Sequence, residues 1–355
     1  MRRADSQVQH WVELLGPVGV LVLVGIVGSL SFVSPDREAE ILRALVSVAI
    51  VVSLYVFVGN SGVISFGHVS FVAVGAFAAG VMTIPVALKP TITPGLFSLL
   101  GRHSVGNVPS LALAAAVGGV FALLVAIPLM RLSGLAAGIA TFAVLGVTHN
   151  ILLNWTKIGP GPLTLTTVPQ TTGLLQATAG AVGVVTIAFL YQRSRLGRRL
   201  RAAREDPAAA RAAGIDIHRE RLWAFALSGA LCGFAGALLV HQAGTLQAGD
   251  VYLDLTFLTL AMLVVGGVGS LWGAVVGALV VSALDSFLLD AENGSVGFVN
   301  HVLGRSSLWS GSRLVGVAAF MAIVLILLPS GITRGREFRI PGLGRLGRLA
   351  REETS

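Results

Sequence analysis

The chemically richest residues of an otherwise apolar stretch are Asn60, Ser61, Ser65 and His68, in "GNSGVISFGHVSFVAVGAFAAG", Gly59 to Gly80. In a bilayer an unsatisfied backbone group costs several kcal/mol, so irregular or polar backbone survives there only where protein covers it or a cavity hydrates it. The glycines allow close backbone approach and let a helix break, and Asn60, Ser65 and His68 offer hydrogen-bonding groups at such a break. One reading is a discontinuous helix lining a solute path. The other is a tight helix contact whose polar groups bond to neighbouring backbone, the commoner role for Ser61, Ser70 and most of the glycines. His68 carries both readings, because an intramembrane ionisable group points to function by default, and a neutral imidazole is its expected state. A second polar patch, His149, Asn150 and Asn154, places its asparagines four apart on one helical face, to line the path or cap the end of a span.

A different signal lies in "RSRLGRRLRAAREDPAAARAAGIDIHRERLWAF". Asp206 suits a helix N-cap, Pro207 the first helical position and Gly214 the left-handed position after the end, with alanines and Arg211 between. That predicts a helix of about two turns, too short to persist alone in water, so it needs something to pack against. Its small alanine surface suits a groove of another protein, and a solvated loop with a nascent turn is the alternative.

The elements that must position these residues are set by composition. The chain has 355 residues, 54% hydrophobic and 12% charged, with a mean hydropathy of +0.83, far from the roughly one-quarter charged residues of a soluble domain. It reads as an all-α integral membrane protein. Apolar runs of about 17 to 25 residues mark spans, here at about 14–33, 41–58, 69–88, 109–129, 134–153, 174–192, 221–243, 253–266, 270–288 and 313–330. These make about ten transmembrane or re-entrant helices, the one at 253–266 being too short to cross alone. The first run follows a positive start, as in a signal peptide, but it is long for one and lacks a good small-x-small site, so it reads as a retained span.

Arginine sets the orientation. With the N-terminus inside, Arg131, the run from Arg193 to Arg221 and the tail from Arg334 to Arg351 fall on one side, the positive-inside pattern. Both termini are then cytoplasmic. The net charge of +8 is a topology signal and an attraction to anionic lipid; no aromatics interleave with the arginines as nucleic-acid binding would require. The single Cys232 excludes an internal disulfide, the seven histidines are too far apart to pair as ligands, and neither metal nor cofactor is expected. The two lysines lie in "LKP" and "TKI", so there is no P-loop.

"AAREDPAAARAAGIDIHRERLWAFALSGALCGFAGAL" resembles the cytoplasmic loop and following span of the LivM-type permease of branched-chain amino acid ABC transporters. The opening stretch is similar to the same family at Gly59, Gly62, Ser65, Gly67, His68, Phe71, Gly75 and Ala76. "RLSGLAAGIATFAVLGVTHNILLNW" with "GPGPL" and "LTLAMLVVGGVGSLWGAVVGALV" extend the resemblance over about residues 42–332 in order and spacing. Phe77 departs from a position that is often Tyr, and "SGLAAGIAT" is smaller than the family's aromatic pattern; both bear on the solute rather than on the family.

The resemblance implies a permease subunit in a bacterial inner membrane, paired with a second permease, two ATP-binding subunits and an external solute-binding protein. ATP hydrolysis would belong to the partners. Glu205, Asp206, Pro207, Ala209, Ala210, Arg211 and Gly214 would form the coupling helix, and Asn60, Ser65, His68, Asn150 and Asn154 the path candidates. The organisation is then an N-terminal span and external loop (1–40), a permease core (41–332) containing the coupling loop 193–221, and a basic tail (333–355). Leucine, isoleucine and valine lead as solutes, with other amino acids, urea or short amides behind. Two other classes compete. A lone secondary carrier or channel would show buried carboxylates, whereas Asp250, Asp254 and Asp285 fall at or near span ends; an intramembrane enzyme would need a nucleophile-base or metal constellation, and none is visible.

Overall fold

The computed structural model describes residues 2–30, 34–293 and 311–337. Most of the polar segment 291–307 and the basic tail beyond Glu337 lie outside the described residues. The described chain is helical, with one isolated antiparallel bridge, Leu165 to Leu246. Its helices are α1 (Arg2–Gly28), α2 (Pro35–Ser61), α3 (His68–Thr83), α4 (Lys89–Ile92), α5 (Ser98–Arg102), α6 (Asn107–Leu129) and α7 (Gly134–Asn154). They continue as α8 (Leu174–Arg193), α9 (Arg195–Glu205), α10 (Pro207–Ala212), α11 (Ile217–Ala243), α12 (Leu253–Gly266), α13 (Leu271–Glu292) and α14 (Ser312–Leu327).

Six of these, α2, α6, α7, α8, α11 and α13, are long and apolar enough to cross a membrane; stretches in α1, α3, α12 and α14 are apolar but shorter. The expected spans thus all appear as apolar helices, and the expected ten divide into six of spanning length and four shorter. At 14 residues, α12 is about 21 Å long, short of the ~30 Å hydrocarbon layer.

α11 lies at the centre, packed on α2, α3 and α6. Small residues make this possible. Along α6, Ala114, Gly118, Ala122 and Ala126 recur every four residues and are buried, one face of a helix. Against them sit Gly229 and Gly233 of α11, while Gly236 meets the Val72 carbonyl of α3 and Gly75 meets Gly233. A side chain at these glycines would collide with backbone, so the helices approach as small-residue stripes allow. α12 and α13 repeat the device: Gly266 abuts Gly273, and Gly277 abuts the Met262 carbonyl. The late glycine cluster is therefore a close-packing contact. α2 is buried almost all round from Leu45 to Ser61, ringed by α1, α8, α9, α11, α12 and α13.

Candidate functional site

The first glycine motif is the break between α2 and α3. α2 ends where Gly62 turns left-handed (φ 71°), with its N–H bonded to the Val58 carbonyl. The chain then crosses to α7: the Phe66 N–H donates to Thr141 Oγ1 at 3.2 Å, and a Cβ at Gly67 would come within 2.5 Å of the Thr141 carbonyl oxygen. His68 opens α3. Its Nδ1 lies 2.7 Å from Ser65 Oγ, and its ring sits among Phe57 (centroids 5.4 Å), Phe71 (5.6 Å) and Phe225 (4.9 Å). Asn60 donates to the Val56 carbonyl at 2.9 Å. Asn60 Oδ1 and His68 Nε2 are buried without a partner among the described residues. Asn60, Ser65 and His68 are 0, 1 and 2% exposed, so these polar groups are enclosed by protein, while Gly62 and Ile64 of the same break are exposed.

Asn150 and Asn154 are not brought to that break. Both are exposed and donate to the carbonyl one turn back, Gly146 and Asn150, at 2.9 Å. They line an open groove along α7 with Gly146 and Trp155, about 14 Å or more along the helix from Thr141. Neither caps the helix end. Their neighbour His149 stacks on Tyr252 (centroids 3.9 Å) with Nδ1 3.2 Å from the Ala248 carbonyl, a packing contact.

The short helix forms as its sequence dictates. Asp206 accepts from the amides of Ala208 (2.8 Å) and Ala209 (3.0 Å). Pro207 starts α10, Gly214 takes φ 77°, and the Ile215 N–H returns to the Ala210 carbonyl at 3.0 Å. The amides of Ala209 and Ala208 hold the Asp206 carboxyl below its ordinary value. A carboxyl depressed in this way contributes stability above its ordinary value of 3.8 and loses it as pH falls through the folded one, so the cap holds throughout the neutral range. Of the alanines only Ala210 is buried, against the chain itself; Ala208, Ala209, Ala212 and Ala213 are exposed. Glu205 and Arg211 are exposed too, Arg211 Nε donating to the Pro207 carbonyl at 3.0 Å.

The sequence reading missed α9, the 11-residue helix before the short one. Its buried Gly197, Leu200 and Ala203 recur at helical spacing among arginines, and that apolar stripe was the available signal. It carries the connection between loop and bundle. Arg204 Nη1 donates to the Gly59 carbonyl at 2.6 Å, and its stem covers Gly62. Arg201 donates to the Gln192 carbonyl at 2.6 Å, and Gln192 Oε1 accepts from Tyr55 of α2 at 3.0 Å. At the same end Arg193 pairs with Glu13 of α1. Asp285 was expected near a span end, but α13 continues to Glu292. The carboxylate therefore lies about two turns inside the helix, 3.1 Å from Arg313 Nε.

A bundle of apolar helices with a polar break and a basic loop at one end defines a multi-pass membrane protein. The profile of the family described as branched-chain amino acid transport system, permease component, matches residues 39–328, and the chain belongs to that family. It is 26% identical over 291 residues to the high-affinity branched-chain amino acid transport system permease protein LivM of Escherichia coli K12, covering 72% of this chain and 64% of the relative. It is 25% identical over 319 residues to LivM of Salmonella typhimurium LT2, covering 80% and 70%. Over 104 residues, 28% of this chain and 26% of the relative, it is 35% identical to the xylose transport system permease protein XylH of E. coli K12. The chain thus spans just under two thirds of the E. coli LivM length.

Proposed function

We propose that this chain is the transmembrane permease subunit of an ATP-driven importer for branched-chain or other amino acids. In this reading it works with a second permease subunit, two ATP-binding subunits that hydrolyse ATP, and an external solute-binding protein. The observation that carries the proposal is the direct link from the capped α10 through α9 to the broken motif: Asp206 caps α10 at the end of α9, and Arg204 of α9 holds the Gly59 carbonyl where α2 ends. A push on an exposed helix outside the bundle would be felt at an intramembrane break. α10 serves as the coupling helix, with Glu205, Asp206, Pro207, Ala209, Ala210, Arg211 and Gly214 forming or shaping it. Asn60, Ser65 and His68 belong to the path, with Asn150 and Asn154 on its outer part.

The same reading takes all ten apolar helices as spanning or re-entrant, the four shorter ones completing the crossing with flanking residues. It places both termini and the loop 193–221 in the cytoplasm of a bacterial inner membrane; the Arg193 to Glu13 pair supports a shared end for that loop and α1. Residues 41–332 form the permease core, preceded by the N-terminal span and external loop and followed by the basic tail. The relatives' names include a sugar permease, so the solute rests on the greater coverage of the LivM matches. The test is uptake of radiolabelled leucine, xylose and urea by membranes containing the assembled complex. ATP-dependent leucine uptake is expected, and uptake of only the sugar or only urea would overturn the amino acid assignment.

A further inference from the structure

The two glycine motifs meet in space. The turn between α12 and α13, residues 267–270, contains Gly267 at φ 118°, a conformation that glycine reaches without strain but does not fix by itself. Its Val268 carbonyl lies against the end of α2, where a Cβ at Gly59 would stand 3.0 Å from that oxygen. The carbonyl of the same Gly59 accepts from Arg204 of α9 at 2.6 Å. The broken end of α2 is therefore held from two sides, by the loop helix and by the turn.

What fixes the turn comes from the far end of the chain. After α14, residues 331–337 run across the α12–α13 hairpin as a strap. The Ile332 N–H donates to the Val265 carbonyl at 2.8 Å, and the Thr333 N–H and Oγ1 both donate to the Gly266 carbonyl, at 3.2 and 2.8 Å. These carbonyls belong to the last turn of α12, where a helix leaves its acceptors unpaired. On the other side of the turn, the two carboxylate oxygens of Glu337 accept from the Leu271 N–H at 3.0 Å and the Trp272 N–H at 3.2 Å. These are the first amides of α13, so the carboxylate also sits at the positive end of that helix dipole. Gly331, at φ 77°, packs on the turn so closely that a Cβ there would stand 2.6 Å from the Gly267 Cα.

A local cap is already present, since Ser270 Oγ accepts from the Gly273 N–H at 2.7 Å. Bringing a carboxylate from 66 residues away orders a whole strap, an entropic cost that Ser270 does not incur. Burial raises the Glu337 carboxyl above its ordinary value; the Leu271 and Trp272 amides oppose that, Glu13 of α1 adds to it and Arg201 of α9 opposes it. The strap thus closes on the end of the bundle that carries α9.

We propose that Glu337 is a positioning residue: through the strap and the α12–α13 turn it holds Val268 against Gly59 and so sets the geometry of the α2 break. Its part in transport rests on the importer reading, in which motion of α10 reaches that break through Arg204. With the turn fixed, a displacement of Arg204 moves the end of α2 against a firm support. With the turn loose, both shift together and the break does not open.

The test compares the parent, Glu337→Gln and Glu337→Asp as full chains in nanodiscs, by amide hydrogen exchange read by mass spectrometry. Glu337→Gln removes the charge and one acceptor, and should speed exchange by about tenfold over residues 268–273 and also over residues 59–66. Glu337→Asp keeps the charge on a shorter arm and should fall between. Acceleration over 268–273 alone would overturn the proposal, because a simple cap has no effect at the break. Thr333→Val is the second variant, should Glu337→Gln fold poorly: it leaves the carboxylate in place, takes one donor from the Gly266 carbonyl and should quicken both segments, and exchange unchanged at 59–66 would again overturn the proposal. In the assembled complex, leucine uptake per ATP hydrolysed should fall several-fold in Glu337→Gln at equal assembly and recover in part in Glu337→Asp. A parental ratio in Glu337→Gln would also count against the positioning role. A parent complex that hydrolyses ATP without importing any solute sinks the importer reading instead, and exchange at 59–66 still decides what Glu337 positions.

Discussion

His68 sits in a ring of three phenylalanines with one nitrogen bonded to Ser65 and the other buried without a partner. Truncation to alanine would mix two effects, because a large-to-small core replacement costs about 2–5 kcal/mol whatever the residue does. His68→Phe keeps the bulk and removes the polar contact. Thermal stability within about 1.5 kcal/mol of the parent, with uptake reduced several-fold at equal expression, is expected; unchanged uptake would make His68 a packing residue. Gly236 offers the opposite experiment. A methyl there meets the Val72 carbonyl and the Ala76 amide, neither of which can yield without moving α3. Gly236→Ala should destabilise the bundle by about 1–3 kcal/mol, read as a lower midpoint of thermal unfolding in detergent, and an unshifted midpoint would contradict the close approach of α11 to α3.

At the scale of elements, α10 has two faces with different partners. Ala210 packs against the chain itself, while Ala209 and Ala212 are free. Ala209→Trp should weaken association with the ATP-binding subunits while leaving the permease fold intact, as overpacking a fitted interface costs about 1–3 kcal/mol. Ala210→Trp should disturb the α9–α10 packing first and lower stability even without partners. Co-purification and thermal unfolding together separate the two, and a tryptophan at 209 that leaves both association and uptake at parental levels would remove α10 from the coupling route. Arg204→Gln is the companion. It removes the charge that reaches the Gly59 carbonyl without altering the exposed face of α10, so assembly should persist while uptake per ATP hydrolysed falls; retained coupling would mean that α9 only anchors the loop.

For the molecule as a whole, the testable quantity is which end faces the cytoplasm. Ser194 is a poor probe because its hydroxyl caps α9, accepting from the Gly197 N–H at 3.1 Å. Ala212 on α10 and Thr166 in the loop before α8 are exposed, and Cys232 is buried, so the native thiol gives little background. An impermeant maleimide added to intact cells should label Thr166→Cys and not Ala212→Cys, with Ala212→Cys labelled only after permeabilisation. The converse pattern would invert the topology.

Local chemistry was legible in the sequence because it depends on neighbours along the chain. Asp206, Pro207 and Gly214 specify α10 through their own backbone preferences, and the apolar runs specify helices because a bilayer leaves few other ways to satisfy the backbone. The small-residue spacing of α6 likewise needs only the helical period. What depended on residues far apart was not readable. Arg204 and Gly59 are 145 positions apart, and nothing in either segment names the other. The asparagines of α7 look like partners of His68 by composition, yet both lie on an exposed face while His68 is buried, since only packing decides which side of a helix is covered. Arg43, Ser282 and Asp250 come from three separate segments, the first and last near expected span ends and Ser282 within a span. Only the tertiary structure sets them around one cavity, because the facing of helices about α11 is fixed by where glycine lets two backbones touch.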